Sequence, residues 1–512
     1  MEALALSNCP LPRRLRVGVF ADARLQPRWI VEAFDKLARA DFAEVILVEA
    51  RSMSPSRTSA LWQLYGAIDR RLFGADPSDR VDITRALKRG GARELDVAFA
   101  LGDIDDSELD GRARYGVWRF CFGTDGAEEE AIAGVREVAR EQPLTGSGLK
   151  VRLASDSPAR LAYQSWSRTY PFSVARNRDY LLRKTAEFAC RALRELHRCG
   201  HAWLQTCKPL RAQPQPQTLK AADVLHIGSR LVKRGAEKAL NVEQWFLAFR
   251  FGRAGIAADL AGFTRLLPPK DRDWADPFAL EKDGRYYVFF EEVPFATRKG
   301  HISMIEIDRA GRFSAPVTVL ERDYHLSYPF VFEHEDSLYM VPESAKNRTV
   351  ELWRCVDFPL GWQLERTLVQ DLRCVDATLY RAADRWWMFA NCAAGESRMF
   401  DDELHLFSSE RLTGDWQPHA KNPVKSDARC SRPAGRLFQR NGALYRPAQV
   451  CVPRYGAGLS INRVMKLSSQ DYVERQVERI LPPPASGLLG LHTMNHAGDL
   501  TVVDAFIRRR RI

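Results

Sequence analysis

The chain has 512 residues, 45% apolar and 28% charged, ordinary globular values that exclude a disordered or collagen-like protein. At roughly 100–200 residues per domain, the length predicts two to four domains. Against 76 Lys+Arg stand 65 Asp+Glu, a net charge of +11. The excess is spread along the chain apart from Arg508–Arg511, so a solvated basic surface is expected rather than a nucleic-acid groove.

No stretch approaches the roughly 18–20 unbroken apolar residues of a membrane span. Met1–Arg14 lacks the basic lead and apolar core of a secretory signal. The 10 cysteines include no CxxC pair, and Cys355, Cys374 and Cys451 interrupt apolar strands, where a reduced thiol serves as a small hydrophobe. A reducing, cytoplasmic location is the expectation.

In chain order, Leu15–Phe20 and Glu44–Glu49 read as buried parallel strands around a helical stretch from Pro27 to Ala40. A second helical stretch, Ser59–Phe73, precedes a strand at Leu95–Leu101, and this β-α-β-α-β order predicts an α/β doubly wound parallel sheet. The first turn, Ala21-Asp22-Ala23-Arg24, has no glycine, so the dinucleotide fingerprint is absent. Strands at Lys150–Ala154 and Leu161–Trp166 and a helix over Val174–Arg198 closed by Gly200 complete this part. His197, Cys199, His201 and Cys207 are residue types that suit zinc, but their spacing across Gly200 places them on no single face. No metal or cofactor is expected. Lys208–Ala222, rich in Pro and Gln, reads as a linker.

After it the sequence is nearly all strand and contains a degenerate repeat. Units begin at Asp276, Tyr328, Asp376, Arg432 and His492, each a polar residue, an apolar strand, a tight turn and a second apolar or aromatic strand. Asp283-Gly284 and Asn441-Gly442 are type I′ hairpin dipeptides. Two further strand signals follow each hairpin, which is the plan of an all-β five-bladed propeller. The fifth hairpin lies at the C-terminus, so its outer strands must come from upstream, where Trp245–Phe251 and Phe263–Leu267 are available.

In a propeller the residue opening the first strand and the residue closing the second lie at one end of the blade. Asp276, Tyr328, Asp376, Arg432 and His492, with Glu291 or Glu292, Glu343, Asn391, Gln449 and Asp504, should therefore ring one mouth of the channel. Trp274, Tyr328 and Trp387 could offer ring faces to a ligand there.

The blades, opening with Trp274-Ala275-Asp276-Pro277, resemble propellers of glycoside hydrolase families 43, 32 and 68. Ser327–Phe330, Val341-Pro342-Glu343, Val375-Asp376 and His492–Asn495 resemble more closely the N-terminal propeller of plant glucosamine inositolphosphorylceramide transferases, over residues 240–507. The transferase activity of that family belongs to a separate domain that nothing here matches. The hydrolase resemblance implies a carboxylate base, for which Asp276 fits, and a carboxylic acid. Blade two opens with Tyr328 where those hydrolases carry aspartate, and blade three with Asp376 where they carry the acid, so Glu343 could supply the proton with Asp376 tuning it.

Residues 14–207 resemble the formyltransferase-like domains that accompany this propeller in bacterial proteins, on Tyr115–Trp118, Gly146–Arg152 and the helix after Asn177. The Asn, His and Asp of active members are not matched: no histidine precedes His197, and Cys121 and Phe122 stand where histidines are expected. A worn scaffold is the reading. The expected domains are thus 14–207, a linker over 208–222, and the propeller over 240–507. The expected partner is a carbohydrate or glycoconjugate, with no nucleic acid and no membrane span, and the oligomeric state is open. Two rival functions remain, a carbohydrate-active enzyme with Asp276, Glu343 and Asp376 as catalytic groups and Trp274, Glu291, Tyr328, Arg432 and His492 binding substrate, or a glycan-binding scaffold. A third is formyl or acyl transfer to a nucleotide sugar.

Overall fold

The computed structural model describes residues 13–50, 60–74, 79–91, 93–123, 133–154, 157–210, 221–252, 257–382, 384–393 and 399–510. The chain divides into two compact units, 1–232 and 233–512. The division falls within a helix, Ala221–Leu240, that the linker reading does not anticipate. Residues 211–220 of that linker lie outside the described residues, and Lys208–Pro209 is not linker but an edge strand of the first sheet.

The first unit is built on β1 (Leu15–Ala21), α1 (Arg28–Ala38), β2 (Ala43–Ala50), α2 (Ala60–Phe73), β3 (Val97–Leu101), β4 (Val117–Phe122), β5 (Leu144–Arg152), β6 (Arg160–Arg168), α3 (Val174–Thr185), α4 (Phe188–Thr206) and β7 (Lys208–Pro209). The sheet order is β2-β1-β3-β4-β5-β6-β7. β1 through β4 pair in parallel, whereas β4, β5, β6 and β7 pair antiparallel, so the sheet is mixed rather than parallel throughout. Helix α1 turns Trp29, Ile30, Ala33, Phe34 and Leu37 onto the sheet, the spacing of one helical face. The predicted single helix over Val174–Arg198 is two helices. The second runs past Gly200 to Thr206, with Gly200 at φ 59° marking a kink instead of an end.

The second unit is a five-bladed propeller. Four blades are consecutive meanders of four strands starting at Arg272, Ser327, Cys374 and Phe438, the third with an added short strand, Lys425–Ser426. The fifth pairs the C-terminal hairpin, Met494–Ala497 with Leu500–Arg510, to the upstream strand Asn241–Phe251, which in turn pairs Thr264–Leu266. The register runs from Asn241 opposite Arg510 to Phe251 opposite Leu500, so both ends of the unit are tied into one sheet and the ring closes. Asp283-Gly284 and Asn441-Gly442 adopt the paired left-handed conformation of type I′ turns. Glu335-Asp336 does so too, without a glycine.

One backbone device recurs in three blades. Register shifts separate Ala275 from Phe278, Ser327 from Phe330 and Val375 from Thr378. In each, the opening residue is left-handed: Asp276 at φ 52°, Tyr328 at φ 45° and Asp376 at φ 56°. Such a conformation costs about 1–2 kcal/mol for a residue with a Cβ, and outliers of this kind gather at functional sites. Pro277 and Pro329 follow the first two, so the second residue of each of these bulges has no N–H to pair.

Candidate functional site

The bulges aim the opening side chains at the axis, where blades meet through side chains. In blades five and one, the Asp276 N–H donates to Asp504 Oδ2 (2.8 Å) and Thr493 Oγ1 donates to Asp276 Oδ1 (2.7 Å). His492 lies between the two carboxylates, Nε2 at 3.3 Å from Asp276 and Nδ1 in close, poorly aligned contact at 2.6 Å from Asp504. Asp504 also accepts the backbone N–H groups of His492 and Thr493. Burial opposes charge on His492, but Asp504 and Asp276 outweigh it and push the imidazolium up to about 9. Burial drives Asp276 well above the usual carboxylate range; His492 opposes this, while Glu291, Asp376 and Asp504 add to it.

Asp276, His492 and Asp504 are also the group of described residues whose ligand atoms come within metal-binding reach of one another, 4.8 Å. As an imidazolium, His492 carries a proton on each ring nitrogen and has no lone pair left for an ion. The His197, Cys199, His201 and Cys207 residues form no such group. His197 packs on Phe42, and Cys207 Sγ donates to Trp203 O.

Blades three and four meet through Asp376. Arg432 grips it with Nε at 2.6 Å and Nη2 at 3.3 Å, and Gln449 Nε2 donates to it at 2.9 Å. Arg432 also lies 4.7 Å over the Tyr455 ring. The Asp376 carboxylate beside it holds the Arg432 guanidinium well above its ordinary range despite burial.

Glu343 differs from all of these. Its carboxyl makes no hydrogen bond to a described residue. Burial and then the Asp376 charge push it up to about 7, against the pull of Arg432 and His325. Glu291, also within its electrostatic reach, pairs with His325 Nε2 at 2.9 Å. The neighbouring acid, Glu292, is instead buried with Arg272 and Ser303 and serves blade one.

The structure thus brings Asp276, Glu291, Glu343, Asp376, Arg432 and His492 together, and takes other expected residues away. Tyr328 is fully buried. Its hydroxyl accepts from Gly435 N of blade four (2.7 Å) and meets Thr378 of blade three (2.9 Å), so the side chain crosses the axis and floors the mouth. Trp274 lies in the core with Phe290, because the bulge begins only after it and leaves it in ordinary strand register. Trp386 and Trp387 are both buried, in separate clusters, so neither offers a ring face. Asn391, with its amide turned so that Nδ2 donates to Phe400 O, supports the blade-three loop.

Three site residues escaped the sequence reading. His325 stands just before blade two. Tyr455 reaches in from a loop after the blade-four hairpin, and its hydroxyl makes no hydrogen bond to a described residue. Trp245 lies tilted against His492, ring centroids 4.0 Å apart. The first unit shows the reverse pattern: Asn177 is consumed by Tyr170 N and Gly134 O, and burial pushes the Cys121 thiol up to about 12, out of reactive range.

The family described as glucosamine inositolphosphorylceramide transferase 1, N-terminal, matches residues 271–489. The chain is similar to glucosamine inositolphosphorylceramide transferase 1 of Oryza sativa subsp. japonica, 34% identical over 203 residues, 39% of this chain and 27% of the relative. It is 32% identical over 206 residues to the Arabidopsis thaliana protein of the same name, 40% of this chain and 27% of the relative. The chain therefore spans about a quarter of the length of the curated relatives it matches. Among solved structures it is similar to the catalytic domain of Coprinopsis cinerea GH62 α-L-arabinofuranosidase, with TM-score 0.35 and 11% identity over 50% of this chain and 97% of that one. A family 117 glycoside hydrolase of Zobellia galactanivorans gives TM-score 0.34 and 10% identity over 51% of this chain and 90% of that one.

Proposed function

We propose that the protein is carbohydrate-active and cleaves or rearranges a glycosidic bond at the propeller mouth by carboxylate acid–base chemistry. One observation carries the reading: Glu343 is a partly buried carboxyl without a hydrogen-bond partner among the described residues, held near pH 7 beside two further carboxylates. A neutral carboxyl at that pH has an O–H to give to a departing sugar oxygen. Asp376, held in place by Arg432 and Gln449, raises the Glu343 pKa.

Asp276 is the base. Thr493 and His492 hold its Oδ1, while no described residue donates to Oδ2, which takes the proton of the attacking water or hydroxyl. Burial disfavours the ionised form that a base needs, and the His492 imidazolium beside it favours that form. Tyr455 and Trp245 supply the aromatic surface that Trp274 and Trp387 do not. The matched relatives are named transferases, but only about a quarter of their length is spanned, so transfer is not assigned to this chain. The first unit is proposed as a scaffold.

The test is a panel of glycosides and nucleotide sugars offered to wild type, Glu343→Gln and Asp276→Asn. Turnover lost in both variants supports the reading, and turnover that survives both overturns it. The rival, a glycan-binding module, draws on Tyr328, which fills the blade-two position with a buried phenol. Equal binding without turnover in all three proteins would establish it.

A further inference from the structure

We propose that Cys374 and Cys392 are a redox pair that closes to a cross-strand disulfide in blade three. The two residues sit directly opposite each other on the first and second strands of the blade. Their sulfurs are in contact at 2.7 Å, and the residues are 2% and 1% exposed. Directly opposed strand residues place their Cα atoms about 4.5–5.5 Å apart, inside the range of about 4.4–6.8 Å that a disulfide spans. Closure therefore needs no backbone rearrangement. Both are free thiols in this structure, the state a reducing compartment maintains.

The pair differs from thiols that only fill space. Burial and then the neighbouring Cys374 thiol push Cys392 well above its ordinary value, so the folded protein keeps the Cys392 sulfur protonated. Reaction accordingly belongs to folding or to opening of the strand ends. The oxidant is a small-molecule disulfide. One cysteine thiolate attacks it, forming a mixed disulfide and releasing a thiolate. The second cysteine thiolate then attacks the protein sulfur and releases the other. The protein loses two hydrogens, and the small disulfide is reduced to two thiols.

The placement gives the bond a consequence. Cys374 lies two residues before Asp376, and Cys392 follows Asn391. Asn391 Nδ2 and Arg432 Nη1 both donate to Phe400 O, at 3.1 and 3.2 Å. Oxidation would tie together the two strand ends that carry Asp376 and Asn391. The inference does not depend on the proposed chemistry of the mouth.

The test uses the full chain in two arms. In one, the protein is unfolded and refolded in a mixture of oxidised and reduced glutathione; in the other, native protein is incubated with oxidised glutathione alone. Free thiols are then alkylated under denaturing conditions and peptides mapped by mass. The expected result is a linked Cys374–Cys392 peptide, reversed by reductant and lost in Cys392→Ser, with a higher midpoint of thermal unfolding for the oxidised protein. Both cysteines found alkylated in both arms, or pairing with other cysteines instead, would overturn the proposal.

Discussion

Two clusters of buried charge in the propeller make an instructive contrast. In blade four, Arg446 is fully buried and donates through Nε and Nη2 to Glu474, while its Nη1 and Nη2 reach the carbonyls of Ser431 and Cys430. Lys425 and Tyr472 complete the shell around Glu474, whose carboxyl is held down at about 2 by these cations despite its burial. Every charge there has a partner. At the mouth, Asp376 is equally well held by Arg432, yet one strand away Glu343 is left open and rises to about 7. A saturated network fixes a fold; an unsaturated one, assembled on strained bulges, stands ready to exchange protons.

If that contrast is right, substitutions in the two clusters should separate activity from stability. The largest effect is expected on turnover: once a substrate is found, Glu343→Gln and Asp276→Asn should each lower kcat by about 10²–10⁴-fold, read by steady-state kinetics. Next, Arg446→Met should cost about 3–5 kcal/mol of stability by stranding Glu474, seen as a drop in the thermal midpoint without a change in mouth chemistry. Survival of that variant at wild-type stability would break the comparison from the structural side.

Glu343→Gln should do the opposite at high pH. A carboxyl raised from 4.5 to about 7 on folding contributes stability that is intact below about 4.5 and is lost as pH rises through 7. The glutamine variant should therefore be more stable than wild type by about 3 kcal/mol at pH 8 and equal to it below pH 4.5, measured by paired denaturant titrations. The smallest effect sharpens the electrostatics. Asp376→Asn removes the like charge that raises Glu343, so the alkaline limb of the rate profile should move down by about one pH unit.

The propeller was legible because its hairpins repeat apolar and aromatic strands around turns such as Asp283-Gly284, and because a C-terminal hairpin without outer strands requires them from upstream. The parallel run β1 to β3 was legible too, but the antiparallel half was not, since buried strands of either sense share the same apolar pattern. Of the mouth, the acids and Arg432 could be placed by counting along each repeat. The bulges could not, because Asp-Pro and Tyr-Pro specify no left-handed residue, and this is why Trp274 and Tyr328 went to core and floor instead of to a ligand. His325, Tyr455 and Trp245 lie outside the hairpin repeats, where no period marks them.

The central claim is that Glu343 stays protonated to near neutrality. With glutamate labelled at its side-chain carboxyl carbon, a pH titration followed by NMR, as wild type minus Glu343→Gln, isolates this one group. A midpoint near 7 is the result expected from its burial beside Asp376. A midpoint near the ordinary 4.5 would mean that the mouth holds no acid at working pH, and the proposed chemistry would lose its proton donor.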